Sequence, residues 1–314
     1  MDLVNHLEDR LLFAVPKKGR LQEPVLDLLL GSDIRFRREP RLDIALVKNL
    51  PLALVFLPAQ DIPTFVGGGR VDLGITGRDQ IAEHNASLPA GESPSVAEVM
   101  DLGFGECKLQ VQVPESGDIV ESAQLIGKNV VTSFTGLTQA YFSRLENAKG
   151  IGQEGGPGHR PSKTNIRLVN GSVETACALG VADGVVDLVE SGETMRAAGL
   201  QAIDTVMEST AVLIKSKNPT NAGLVELIAT RIKGVITAQK YVLCQYNIPR
   251  LRVHEGTALT PGKQGPTITA LDGSDWVAVS AMVEKREVAT VMDSLTAVGA
   301  TDVLILDIVN SRTG

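Results

Sequence analysis

The sequence predicts an α/β protein built as two sheet-and-helix lobes followed by a small ferredoxin-like domain, and three observations carry that reading. From Leu11 to about Val113, short β-branched runs alternate with helix-like stretches, as in layers of mostly parallel strands. A second unit of the same kind follows, beginning with the alternating run Leu109 to Val113. From Tyr241 the order changes to β-α-β-β-α-β, which is the ferredoxin-like order. A chain of 314 residues also exceeds the roughly 250 at which single cores stop growing.

In the first unit, Leu12 to Val15, Ile44 to Val47, Leu52 to Leu57 and Val71 to Thr76 read as strands. Leu21, Val25, Leu28 and Leu29 share one helical face before Gly31, and Asp61-Ile62-Pro63 has the pattern of a helix start. In the second unit, Asn129 to Ser133 reads as a strand and Leu137 to Leu145 as a helix. The breaker-rich stretch Gly150 to Lys163 is a loop, and an excursion over the surface is its ordinary meaning. Leu224, Leu227, Ile228, Ile232, Val235 and Ile236 make Asn221 to Gln239 one long amphipathic helix. Beyond it come a strand (Tyr241 to Tyr246), a helix (Pro249 to Ala258) and two strands (Pro266 to Leu271, Trp276 to Val283). Val288, Val291, Met292, Leu295 and Val298 then form a helix stopped by Gly299, and Asp302 to Val309 is the closing strand.

Composition narrows the function classes. Hydrophobic residues make up 43% and charged residues 21%, with no run near the roughly 20 apolar residues of a membrane span. Met1 to Arg10 is polar and acidic, unlike a secretion signal, so a cytoplasmic protein is expected. The three cysteines, Cys107, Cys177 and Cys244, are too far apart to suggest disulfides or zinc. A net charge of -7 and 4% aromatic residues argue against polynucleotide binding, so an anionic ligand must be caught locally.

The candidate chemistry concentrates in Ala182 to Gly199. A strand (Gly184 to Val189) runs into the turn Glu190-Ser191-Gly192-Glu193-Thr194 and then a helix. Free backbone N–H groups at such a helix start suit a phosphate, Gly192 allows close approach, and Ser191 and Thr194 add hydroxyls. Ordinary helix capping explains the same residues. Asp183 and Asp187, four apart, share one face of that strand and are read as bracketing its C-terminal end, where carboxylates hold sugar hydroxyls or magnesium. A solvated strand edge is the rival account. Asn170-Gly171-Ser172-Val173-Glu174 reads as a turn and cap that places Glu174 in a first helical turn. Lys17, Lys18 and Arg20, around Gly19, follow the first strand, where open sheets bind ligands, although a solvated basic turn fits as well. Asp72 to Gly77 is a further strand ending in a glycine turn, with Asp72 and Thr76 as candidate cleft residues.

Taken in order, these segments resemble the ATP phosphoribosyltransferase family in its long, allosteric form. The matching pieces are Pro-Lys-Lys-Gly-Arg-Leu at 16 to 21, Val-Asp-Leu-Gly-Ile-Thr-Gly at 71 to 77, Asn-Gly-Ser-Val-Glu at 170 to 174, and Ala-Asp-Gly-Val-Val-Asp-Leu-Val-Glu-Ser-Gly-Glu-Thr at 182 to 194. Thr-Pro-Gly-Lys at 260 to 263, Pro-Thr-Ile at 266 to 268 and Val-Met-Asp-Ser-Leu-Thr-Ala-Val-Gly-Ala at 291 to 300 look like its regulatory domain. The resemblance implies a two-lobed core like the type II periplasmic binding proteins and a hexamer in exchange with dimers. It also implies magnesium dependence, ATP and phosphoribosyl pyrophosphate as substrates, and feedback inhibition by histidine. Lobe I is expected at 1–108 with 195–220 returning to it, lobe II at 109–194, and the linker helix with the regulatory domain at 221–314.

On that resemblance, Glu190, Ser191, Gly192, Glu193 and Thr194 bind the 5-phosphate of phosphoribosyl pyrophosphate. Glu174, Asp183 and Asp187 hold ribose hydroxyls, with the two aspartates as metal candidates. Lys17, Lys18, Gly19 and Arg20 hold the phosphates of ATP or the departing pyrophosphate, with Asp72 and Thr76 lining the cleft. Gln245 and Thr260 are named for the effector. Two features depart from the pattern: Cys177 stands where many relatives carry proline, and the insert at Gly150 to Lys163 is long. The rival readings are a two-lobed solute-binding protein without turnover and a purely regulatory subunit.

Overall fold

The computed structural model describes residues 7, 9–39, 42–89, 91–150 and 163–312. The interior of the expected loop at Gly150 to Lys163, and most of Met1 to Arg10, lie outside the described residues. In chain order the first elements are β1 (Leu11–Pro16), α1 (Gln22–Gly31), β2 (Ile44–Leu46), β3 (Leu52–Leu57), α2 (Ile62–Gly67), β4 (Leu73–Gly77), α3 (Arg78–Ala86) and β5 (Val96–Asp101). Then come β6 (Cys107–Pro114), β7 (Asn129–Thr132), α4 (Thr135–Ala148), β8 (Asn165–Leu168), α5 (Thr175–Ala178), β9 (Gly184–Val189), α6 (Glu193–Ala197), β10 (Leu200–Ser209) and β11 (Ala211–Ser216). The remainder is α7 (Ala222–Lys240), β12 (Tyr241–Pro249), α8 (Val253–Leu259), β13 (Thr267–Ala270), β14 (Trp276–Glu284), α9 (Val288–Ala297) and β15 (Thr301–Asp307). Among the described residues no helix is long and apolar enough to cross a membrane.

The first sheet has the order β2-β3-β1-β4-β11-β5 and the second β10-β6-β9-β7-β8. In each, three parallel strands lie beside one antiparallel strand that arrives from the other lobe. β11 runs against β4 and β5, and β6 runs against β9 and β10. The exchange leaves two crossings between the lobes, Leu102 to Glu106 and Thr210. This is the two-lobed arrangement of the type II periplasmic binding proteins. Because both faces of the parallel strands are covered, β1, β3 and β4 read as nearly continuous apolar runs, with Phe13, Leu54, Leu73 and Ile75 all fully buried.

The two lobes repeat one device. The residue before β4, Asp72, accepts the backbone N–H of Leu12 at 3.0 Å, and its own N–H donates to the Leu12 carbonyl at 3.0 Å. The residue before β9, Asp183, does the same with Asn129, at 2.9 Å in both directions. Each carboxylate thereby joins the N-terminal ends of two parallel strands.

The expected return of 195–220 to the first lobe is corrected by strand pairing. β10 pairs with β6 in the second sheet, Leu200 opposite Pro114 and Ser209 opposite Cys107, and only from Ala211 does the chain rejoin the first sheet. Two β-bulges break the alternation of β10. Its burial pattern, with few fully buried positions, explains why periodicity did not mark it as a strand.

A carboxylate also clasps the lobes together. Glu83 on α3 accepts the N–H groups of Gly136 and Leu137 at 2.7 and 2.9 Å, filling the orphan donors at the start of α4. Gly136 permits the approach, since a Cβ there would lie 2.9 Å from Ser87 Oγ and 3.0 Å from Ala86 Cβ. Glu83→Ala removes the cap and is expected to cost about 2 kcal/mol. A urea-unfolding midpoint equal to that of the unaltered protein would contradict this role.

By contacts the chain forms two compact units: residues up to Val25 with Phe36–Val225, and Leu26–Arg35 with Glu226 onward. Leu26–Arg35, expected in the first lobe, therefore groups with the C-terminal part. There Arg231 donates to the Asp33 carbonyl at 3.3 Å, and a Cβ on Gly31 would come within 3.1 Å of Val235. The C-terminal sheet is antiparallel throughout, in the order β13-β14-β12-β15. One of its faces buries Val242, Cys244, Tyr246, Ile248, Val277, Val279 and Leu295. β12 alternates strictly between buried and half-buried positions, as a one-sided sheet requires.

Candidate active site

β9 is the central parallel strand of the second sheet, and the turn that leaves it is shaped by glycine. Gly192 has φ +76°, and a Cβ there would lie 2.6 Å from Arg196 Nη1. Ser191 Oγ accepts the N–H of Glu193 at 3.3 Å, and Arg196 Nη2 donates to the Ser191 carbonyl at 3.1 Å. Glu190 to Met195 form one wall of a cavity of about 210 Å³, and Gln112, Glu174 and Asp187 line the rest.

Asp187 and Glu174 face this cavity together. Burial pushes the Asp187 carboxyl up to about 6, the N–H of Leu188 donating at 2.9 Å counters that, and the nearby charge of Glu174 raises it further. Glu174 is held at the N-cap of α5, a four-residue helix. Cys177 lies within α5, and burial, with the charge of Asp183, pushes its thiol up to about 11. Gln112, 2% exposed, donates from Nε2 to the Asp187 carbonyl at 3.3 Å. It was missed in the sequence, although Lys108, Gln110 and Gln112 put polar residues at alternate positions of a central strand, which was the available signal.

The basic residues after β1 meet the same turn from the other lobe. Arg20 donates to the Gly105 carbonyl at 2.8 Å and lies 3.5 Å from Glu190 Oε1 and 3.6 Å from Asp79 Oδ1. Lys18, Gly19, Arg20, Gly77, Asp79, Leu188 and Glu190 line a second cavity. A third, of about 710 Å³, is bounded by Arg78, Cys107, Lys108, Arg196 and Glu208 with the same turn. Glu190 borders all three. Lys17 instead pairs with Asp43 at 2.8 Å, at the surface.

Three residues expected at the cleft lie elsewhere. Asp183 precedes β9, so it is about 13 Å from Asp187 along the strand, at the opposite end from the turn. The shared face was legible from alternation, but distance along the strand separates the pair. Asp72 stands at the far end of β4 for the same reason, and Thr220 donates to it from both N and Oγ1. Thr76 is fully buried and donates to the Ala59 carbonyl at 2.8 Å, positioning that loop rather than lining the cleft. Thr260 is 1% exposed, bonded to Tyr246 Oη at 2.8 Å and to the Gly256 carbonyl at 3.1 Å, so it belongs to the C-terminal core. Gln245 stands on the opposite, open face of that sheet, opposite Ser280 and Leu304. Among the described residues no cluster of three or more acidic, histidine or cysteine side chains could hold a metal by itself.

The family described as ATP phosphoribosyltransferase matches residues 58–234, and the description "HisG, C-terminal domain" matches residues 238–310. An ATP phosphoribosyltransferase of Schizosaccharomyces pombe is 60% identical over 99% of this chain and 100% of its own length. The chain belongs to the ATP phosphoribosyltransferase family. Both descriptions match in succession, so it has the long form, and it is a phosphoribosyl-transferring enzyme. The Saccharomyces cerevisiae ATP phosphoribosyltransferase is 51% identical over 99% of this chain and 100% of its own length. The solved ATP phosphoribosyl transferase (HisG:HisZ) complex from Thermotoga maritima superposes with a TM-score of 0.53. At 22% identity, over 71% of this chain and 98% of that one, it bears on the fold alone.

Proposed function

We propose that the enzyme joins ATP to phosphoribosyl pyrophosphate at the entry to histidine synthesis in the cytoplasm, releasing pyrophosphate. The observation that carries this reading is the turn Glu190 to Thr194, walled by Glu174 and Asp187 on one side and met by Arg20 on the other. Its N–H groups and hydroxyls hold the 5-phosphate, and Gly192 lets the ligand reach the backbone. Asp187 and Glu174 hold the ribose hydroxyls and stabilise positive charge as the ring becomes oxocarbenium-like. N1 of adenine carries its own lone pair, attacks the anomeric carbon and displaces pyrophosphate, so no side-chain nucleophile is required. Lys18 and Arg20 hold the phosphates.

Two half-buried carboxylates facing one cavity fit a divalent cation whose remaining ligands are substrate oxygens. Magnesium held by the pyrophosphate near Asp187 and Glu174 would offset the charge of the leaving group. Asp183 is too distant to take part.

Regulation by histidine is assigned to the C-terminal unit. Its open sheet face carries Gln245 and the exposed Leu304 and Leu306, 54% and 46% accessible, which suit burial against other copies in a hexamer that exchanges with dimers. Histidine binding there would favour one assembly and lower turnover. ATP and phosphoribosyl pyrophosphate together, with magnesium, should release pyrophosphate, and added histidine should slow the release. Binding of phosphoribosyl pyrophosphate without any pyrophosphate release would favour a binding protein, and indifference to histidine would remove the regulatory assignment.

A further inference from the structure

A buried carboxylate outside the residues assigned above joins the cleft arginine to the crossings between the lobes. Asp79, at the second position of α3, is 1% exposed. Its Oδ1 accepts Ser209 Oγ at 2.5 Å and lies 3.6 Å from Arg20 Nη2, and its Oδ2 accepts Gln80 Nε2 at 2.7 Å. Its backbone N–H donates to Ser209 Oγ at 2.9 Å. Ser209 ends β10, immediately before the crossing at Thr210, and Arg20 donates to the carbonyl of Gly105 in the other crossing. The chain makes room for this carboxylate, because a Cβ on Gly77 would lie 2.1 Å from Asp79 Oδ1. Gly77 has φ −76° and ψ 146°, a conformation any residue adopts, so the space itself explains the glycine.

We infer that Asp79 is a positioning residue that aims Arg20 into the cleft and ties that aim to the relative setting of the lobes through Ser209. A carboxylate so near a phosphate-binding cation weakens anion binding by charge alone. It persists here, buried and fully bonded, because an unheld guanidinium on a flexible stem loses orientation when it must grip a phosphate. Geometry and charge therefore oppose each other, and the sign of one measurement separates them.

The inference rests on the assignment of Arg20 to phosphate, and the test keeps the two apart. The dissociation constant of inorganic pyrophosphate with magnesium is measured by calorimetry on the full chain. The proteins compared are the unaltered enzyme, Arg20→Ala, Asp79→Asn, Gly77→Ala and the double variant Arg20→Ala/Asp79→Asn. Asp79→Asn is expected to weaken pyrophosphate binding about tenfold, the scale of one charge-assisted hydrogen bond. Gly77→Ala, which displaces the carboxylate while keeping its charge, should weaken binding in the same direction and stands in for Asp79→Asn if that variant does not fold. In the Arg20→Ala background, Asp79→Asn should have no further effect.

Tighter or unchanged binding in both Asp79→Asn and Gly77→Ala overturns the positioning role, as does an undiminished effect of Asp79→Asn without Arg20. If Arg20→Ala itself leaves the dissociation constant unchanged, the phosphate assignment of Arg20 falls first and the positioning role falls with it.

Discussion

Asp187→Asn is expected to lower kcat by about a hundredfold, the scale seen when one preorganised charged partner of a transition state is removed, while making the protein more stable at neutral pH. The second effect follows from burial. The carboxyl titrates at about 6 in the folded protein, against about 3.9 in the unfolded chain. Between those values the folded state keeps a proton that the unfolded state has released, so stability falls as pH rises through that window. Above pH ~6 the full cost is present, on the order of 2–3 kcal/mol. Asparagine retains an oxygen for the Leu188 N–H and carries no charge, so the variant should unfold at higher denaturant than the unaltered protein at pH 7 to 8, and at the same concentration near pH 4. Activity of the unaltered enzyme should decline as pH falls through about 6. Full turnover in the variant would show that Asp187 is not a catalytic carboxylate, and lower stability at pH 8 would show that its site does not strain it.

Gly192→Val is expected to raise KM for phosphoribosyl pyrophosphate by about a hundredfold. The left-handed conformation at this position costs a side-chain-bearing residue roughly 1–2 kcal/mol, more when it is β-branched. The new Cβ would also meet Arg196 Nη1 at 2.6 Å. That contact can yield, since it is the end of a flexible side chain, but yielding breaks the bond from Arg196 to the Ser191 carbonyl that braces the turn. The thermal midpoint should fall by only a few degrees, the scale of that strain in a domain of this size, because the turn lies outside the core. Steady-state kinetics with each substrate varied separately distinguish this from general damage: KM for ATP should move much less, and equal shifts for both substrates would place the turn away from the phosphoribosyl group.

The amount of this that the sequence discloses differs from residue to residue. The strand-turn-helix around Gly192 was legible because its parts are contiguous and each has a local cause. The assignments of Asp72 and Asp183 failed because alternation along a strand reports which face a residue takes, while function also depends on which end of the strand meets the cleft. Gln112 and Asp79 were passed over for a different reason. A polar residue on a buried strand, or an aspartate at a helix start, has an ordinary explanation until its neighbours are known, and Ser209, the key neighbour of Asp79, is 130 residues away. β10 escaped notice because its two bulges erase the period by which strands are recognised.

By itself the sequence determined the α/β class, the ferredoxin-like order at the C-terminus, the glycine turn after β9 and the basic turn after β1, because each follows from local periodicity or from the conformational demands of a few adjacent residues. Tertiary structure alone decided that β6 and β11 exchange lobes, that Glu83 caps a helix of the other lobe, that Arg20 meets Glu190 across the cleft, and that Asp187 rather than Asp183 shares a cavity with Glu174. Those outcomes depend on pairings between residues far apart in the chain, whose free energy comes from burial and from hydrogen bonds that exist only once both partners have been brought together.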